Sequence, residues 1–91
     1  MEAIRSIIEA EYGVSVSVKS WRSQRSRAAF ALLARRVAAV SWPAIGKHLA
    51  LSETGARRFA LDAAKLERND PHFREELEQL LMKINECGMR A

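Results

Sequence analysis

Ninety-one residues, 48% of them hydrophobic, are enough for one modest core and too few for two. No apolar run approaches the roughly 18 residues of a membrane span. The net charge of +4 is modest, and its distribution is more informative than its size. The single cysteine, Cys87, excludes an internal disulfide, and no second thiol offers a zinc site.

The charge is unevenly placed. Residues 1–18 hold one base, Arg5, against three acids, a net of −2. Residues 19–58 hold nine bases against one acid, a net of +8. Residues 59–91 hold five bases against seven acids, a net of −2. A positive centre between negative ends is an electrostatic footprint for nucleic acid, and equally the composition of a solvated basic face. The chain opens on Glu2 and helix formers, not a basic segment followed by an apolar one. No signal peptide is therefore expected, and a cytoplasmic location follows.

The first helix is predicted from Glu2 to Tyr12, with Ile4, Ile7, Ile8 and Tyr12 on one stripe. Gly13 stops it, because glycine takes the left-handed backbone at no steric cost. Val14 to Val18 alternates like a strand but has no partner strand, so an extended connector with its valines under the core is expected. Lys19 to Arg27 reads as a basic loop or short helix containing Trp21, which either stacks on a nucleotide or anchors the loop. A long helix follows from about Ser26 to Val40, with Phe30, Leu33, Ala34 and Val37 inward and Arg27, Arg35 and Arg36 off that side.

Ser41 is suited to cap a short helix ending near Leu49, with Pro43 in its first turn and Trp42 as a partly buried staple. Ser52 caps the next, which runs to about Arg68. Asn69, Asp70 and Pro71 end it and begin an acidic last helix, Pro71 to Glu86. Phe73, Leu77, Leu80, Leu81 and Ile84 are predicted on its buried side. His48 and His72 lie far apart and are expected at the surface, away from any metal.

Residues 41–68 meet the requirements of a helix-turn-helix. Ile45 and Leu49 face the core, and Gly46 sits where two helix backbones approach. Leu51 plugs the turn, Ser52 caps, and Ala56 and Phe59 point inward. Ala50 occupies the turn position that often holds glycine for its positive φ, and Gly55 lies inside the second helix. Small helical bundles also produce such patterns by chance. If the second helix enters a major groove, Ser52, Glu53, Thr54, Arg57 and Arg58 meet base edges. Arg57 or Arg58 is suited to guanine, Glu53 to cytosine or to the helix dipole, and Thr54 to a phosphate or thymine methyl. Lys47 belongs to the same basic block. Lys19, Arg22, Arg25 and Arg27 form a second cluster, suited to phosphates or a minor groove.

The segment RAAFALLARRVAAVSWPAIGKHL, Arg27 to Leu49, resembles the C-terminal DNA-binding domain of the bacterial replication initiator DnaA. Arg27, Ala34, Ser41, Pro43, Ile45 and Gly46 match, with Trp42 in place of Leu and Ala44 in place of Glu. Tyr12 with the alternating valines, and the acidic last helix, extend the similarity to roughly residues 4–84. The resemblance implies an all-α domain of five to six helices, Trp-repressor-like. It also implies binding of double-stranded DNA by the helix after the turn, with Lys19, Arg22 and Arg25 as a supporting basic loop and Arg27 as the arginine that starts the long helix. The family's signature G-G-R-D-H-[ST]-T-V is replaced here by Ala50 to Arg57, and the basic loop is shorter. The residues with which that family reads its own origin box are therefore absent. The chain is expected to be either an excised domain or a stand-alone relative, with Met1 at its start favouring the latter.

The function expected is sequence-specific double-stranded DNA binding in replication initiation or its regulation, by a monomer or weak homodimer. The alternatives are another helix-turn-helix transcriptional regulator, or a protein-interaction module that has lost DNA binding. No catalytic carboxylate pair, phosphate-binding glycine loop or nucleophile–base arrangement is present, so no enzymatic activity, cofactor, metal or small-molecule substrate is expected.

Overall fold

The computed structural model describes residues 2–13, 16 and 24–86. It is all-α: α1 spans Glu2–Tyr12, α2 Gln24–Ala38, α3 Trp42–Leu49, α4 Glu53–Asn69 and α5 Pro71–Glu86. No strand occurs among the described residues, and no helix is long and apolar enough to cross a membrane. Of the expected connector only Val16 is described, and it is fully buried. Its other valines, Trp21 and Cys87 lie outside the described residues, as does any sixth helix between residues 14 and 23.

Local chemistry sets the helix ends. Gly13 adopts φ +72° and donates its N–H to the Glu9 carbonyl, stopping α1. The Ser41 and Ser52 hydroxyls accept from Ala44 N and Gly55 N, capping α3 and α4. The Asp70 carboxylate accepts from His72 N and Phe73 N and begins α5.

α2 is the central element. It packs against each of the other helices, and every residue from Ser26 to Ala34 is buried. A single inward stripe is expected from its sequence, but this helix is enclosed nearly all round. That enclosure takes in Arg27, which is only 3% exposed. Its guanidinium donates to the Val16 carbonyl at 3.0 Å and lies over the Phe59 ring, 5.3 Å from the centroid. On the other side of Val16, the Glu9 carboxylate accepts from the Val16 N–H at 2.8 Å. Both polar backbone groups of this buried residue are thereby satisfied.

Phe73, Leu77, Leu80 and Ile84 close the core from α5, but Leu81 is 39% exposed, contrary to expectation. At 3.6 residues per turn it lies about 70° from the centre of the buried face, on the rim. His48 also departs from the surface position expected. It is half-buried, its ring centroid 5.3 Å from that of Phe30, and Arg5 donates to its Nδ1 at 3.0 Å.

The segment expected to form the helix-turn-helix is α3, a turn of residues 50–52, and α4. Ala50 takes the left-handed conformation, φ 58° and ψ 43°. Leu51 N then donates back to the Gly46 carbonyl at 2.8 Å, a Schellman closure. The chain folds so tightly here that a Cβ on Gly46 would lie 2.5 Å from the Leu51 oxygen and 3.1 Å from that of Ser52. Both are backbone atoms, so neither can swing aside. Gly46→Ala is expected to lower unfolding free energy by about 1–3 kcal/mol. Ala50→Gly should raise it by about 0.5–1 kcal/mol, because relief of a left-handed alanine exceeds the added chain entropy of glycine. Urea denaturation of the two variants checks both signs.

Candidate nucleic-acid interface

The basic residues divide into those that hold the fold together and those that face solvent. Arg25 belongs to the first group. Its Nη2 donates to Asp70 at 2.7 Å and its Nη1 to Glu76, and the guanidinium lies 5.9 Å from the Phe73 centroid. Burial pulls its pKa down, but the Glu76 and Asp70 carboxylates outweigh that and the net shift is upward. Arg27 is enclosed as described, and burial alone lowers its pKa. Arg27, 3% exposed, is enclosed in the core and not placed to meet a phosphate, a correction to its expected place in the basic cluster. Arg25 is 43% exposed at its side chain, and both its Nη atoms are engaged by Asp70 and Glu76. Lys19 and Arg22, the other half of that cluster, lie outside the described residues.

Other cations also have structural partners. Arg36 makes a two-pronged pair with Glu67, at 2.9 and 2.8 Å. Arg74 donates to the Glu67 and Arg68 carbonyls at the end of α4. Lys83 pairs with Glu11. Arg35 donates to the Val40 carbonyl at 3.0 Å and stacks over Trp42, 4.9 Å from its centroid, so Trp42 is half-buried as expected of a staple.

The second group lies on α3 and α4. Ala56, Ala60 and Ala63 turn one face of α4 inward against the core. On the opposite face, at three- and four-residue spacings, Thr54, Arg57, Arg58, Leu61, Lys65 and Arg68 are all exposed. Ser52 and Glu53 lead this face, and Lys47 is exposed in the last turn of α3. Ser52 is engaged as the cap through Oγ, leaving its hydroxyl proton for an outside acceptor. Glu53 faces Arg57 one turn on at 3.6 Å, a loose pair with side chains 51% and 60% exposed.

The structure therefore brings Lys47, Ser52, Glu53, Thr54, Arg57 and Arg58 onto the α3–α4 side, and Arg25 and Arg27 into the scaffold. Lys65, Arg68 and Leu61 share the outer stripe of α4 and were not singled out from the sequence. Extending the 3.6-residue period from Arg57 finds all three. A groove of about 330 Å³ runs beside the stripe, lined by Leu32, Trp42, Arg57, Ala60 and Leu61. The α1–α5 side has the opposite character: Glu11, Glu75, Glu76 and Glu78 share a groove there. Among the described residues no cluster of three His, Cys, Asp or Glu side chains is placed to hold a metal.

No protein-family model, curated protein or solved structure matches the chain.

The structural pairs carry a pH signature. Hydrogen bonds from Arg36 hold the Glu67 carboxyl below its ordinary 4.5. Asp70 lies below its ordinary 3.8: burial opposes this, but the Phe73 and His72 amides and Arg25 prevail. Folded-state values below unfolded ones stabilise the fold above the carboxylate range, and that contribution is lost as pH falls through it. Urea midpoints should therefore drop between about pH 5 and about pH 3. Arg36→Ala should cost under about 1 kcal/mol near neutrality, the pair being half exposed, and should flatten the Glu67 part of the drop.

Proposed function

We propose that this chain is a sequence-specific double-stranded DNA-binding domain, acting in replication initiation or its regulation in the cytoplasm. In this reading α3, the turn and α4 are a helix-turn-helix, and α4 is its recognition helix. The observation that carries the proposal is the outer stripe of α4. Arg57, Arg58, Lys65 and Arg68 project from the face opposite the one that packs on the core. A rigidly seated helix with a cationic outer face matches what a major groove admits.

The roles follow from position. Thr54, Arg57 and Glu53, in the first turns, address base edges. A guanidinium donates a two-pronged pair to guanine O6 and N7, and a carboxylate accepts from cytosine N4. Lys47, Arg58, Lys65 and Arg68 supply phosphate neutralisation and fix the register. The sequence resemblance of residues 27–49 to the initiator's DNA-binding domain supports the same assignment. The replaced signature in residues 50–57 favours a target other than that family's origin box. Binding as a monomer or weak homodimer fits a single recognition helix.

Selection from random duplexes, followed by titration across salt, tests this. The wild-type chain should bind with log affinity falling linearly in log salt. Arg58→Ala should reduce the slope by about 0.9 for one lost phosphate contact. Arg57→Ala should cost about 1–3 kcal/mol and relax one base position. Arg36→Ala, on the structural side, should leave both unchanged. Absence of duplex binding at low salt defeats the proposal.

A second reading rests on the acidic α1–α5 groove, which suits a basic protein partner. It predicts that charge reversal at Glu75 and Glu78 abolishes partner capture while duplex affinity does not fall.

A further inference from the structure

Among the described residues Leu61 is 66% exposed, more than the other exposed large apolar side chains, Leu81 and Met82. It lies in the middle of the outer stripe of α4. Arg57 and Arg58 stand one turn before it and Lys65 one turn after, all exposed. The apolar residues that α4 needs for packing are on its other face, where Ala56, Ala60 and Ala63 are buried. Leu61 therefore contributes little to the core: beside the groove it shares with Leu32, Trp42 and Ala60, most of it remains in water among cations, where its hydration is unfavourable.

The complement of such a face must be anionic overall and apolar at one point. The major groove of B-DNA supplies that combination: its base edges are polar except for the C5-methyl of thymine. Resting on the DNA-binding proposal above, we infer that Leu61 reads a thymine methyl group and is a specificity-determining residue. Helical geometry gives the spacing. Four residues separate Leu61 from Arg57, about 6 Å along the axis, and base pairs rise about 3.4 Å each. The thymine therefore lies within about two base-pair steps of the base that Arg57 reads.

The test replaces single methyl groups. Deoxyuridine, which lacks only that methyl, is substituted for each thymine of a selected duplex in turn. Affinities are then measured for the wild type, Leu61→Ala and Leu61→Lys. For the wild type, one substitution should weaken binding by about fourfold, the worth of one buried methyl-sized group. Leu61→Ala should bind the two duplexes equally. Leu61→Lys should also lose the discrimination while binding all duplexes more tightly at low salt, having added a cation to the stripe. Both substitutions are at an exposed helical site, and retained cooperative unfolding checks that they fold.

A wild type indifferent to every deoxyuridine overturns the inference, as does discrimination that persists in both variants. Either result leaves duplex binding itself standing. Failure of the wild type to bind any duplex defeats the DNA reading and this inference with it.

Discussion

The close approach of backbone to backbone at Gly46 governs how α4 and its exposed cationic face are set against the rest of the fold. The turn after α3 reverses within residues 50–52 because Leu51 N reaches back to the Gly46 carbonyl, and because position 46 has no side chain to hold the strands of the turn apart. Ala50 accepts a left-handed backbone to make this closure. An alanine there costs about 1–2 kcal/mol of local strain. The turn is over-determined enough to bear it: Ile45 and Leu49 are fully buried before it, Ala56 after it, and Ser52 caps the helix that follows. The orientation of α4, and hence the direction in which Arg57 and Arg58 project, is inherited from this elbow.

Legibility in the sequence followed the range of the interaction. Caps are local, so Gly13, Ser41, Ser52 and the Asn69–Asp70–Pro71 junction mark helix ends that agree closely with those observed. The inward residues of α3, α4 and most of α5 follow from a 3.6-residue period, which is also local. The fates of individual charges are not. Arg25 meets Asp70 and Glu76 across 45 and 51 residues, and nothing near Arg25 in the sequence announces those carboxylates. Arg27 is adjacent to three other bases in sequence and so reads as part of a surface cluster. Its burial follows from α2 being the helix on which all the others pack. Leu81 fails for a smaller reason, its position on the edge of a stripe whose width periodicity alone does not set.

The same distinction sorts the basic block physically. A guanidinium within reach of two carboxylates, as Arg25 is, can serve an outside phosphate only by giving up contacts that join α2 to the α4–α5 corner. Arg27 would have to leave the core. Among the described residues the positive centre thus holds Arg25 and Arg36 paired with distant acids, Arg27 enclosed in the scaffold, Arg35 on Trp42, and Lys47, Arg57 and Arg58 on the α3–α4 side. Among the described residues, the bases not paired with distant acids or enclosed are fewer than the +8 over residues 19–58 suggests, and Lys47, Arg57 and Arg58 share the α3–α4 side.

Beside that face stand two exposed acids, Glu53 in the first turn of α4 and Asp62 one turn after Arg58, and the strength of Glu53's engagement bears on how Arg57 would act. At 3.6 Å, with both side chains more than half exposed, the Glu53–Arg57 pair contributes about 0.3–0.5 kcal/mol, as exposed pairs one turn apart do. Two-pronged contact with a guanine is worth several times more. On the DNA-binding proposal Arg57 would transfer to a base at small cost, and Glu53, freed of it, would be left with the positive end of the α4 dipole and a cytosine amino group as partners. The Arg36–Glu67 pair differs in kind: two hydrogen bonds in a planar fork, joining α2 to α4 across 31 residues. One loose pair lies on the outer face and one tight pair on the scaffold. That placement is what a domain needs if its reading residues are to exchange partners while the helix that carries them stays fixed.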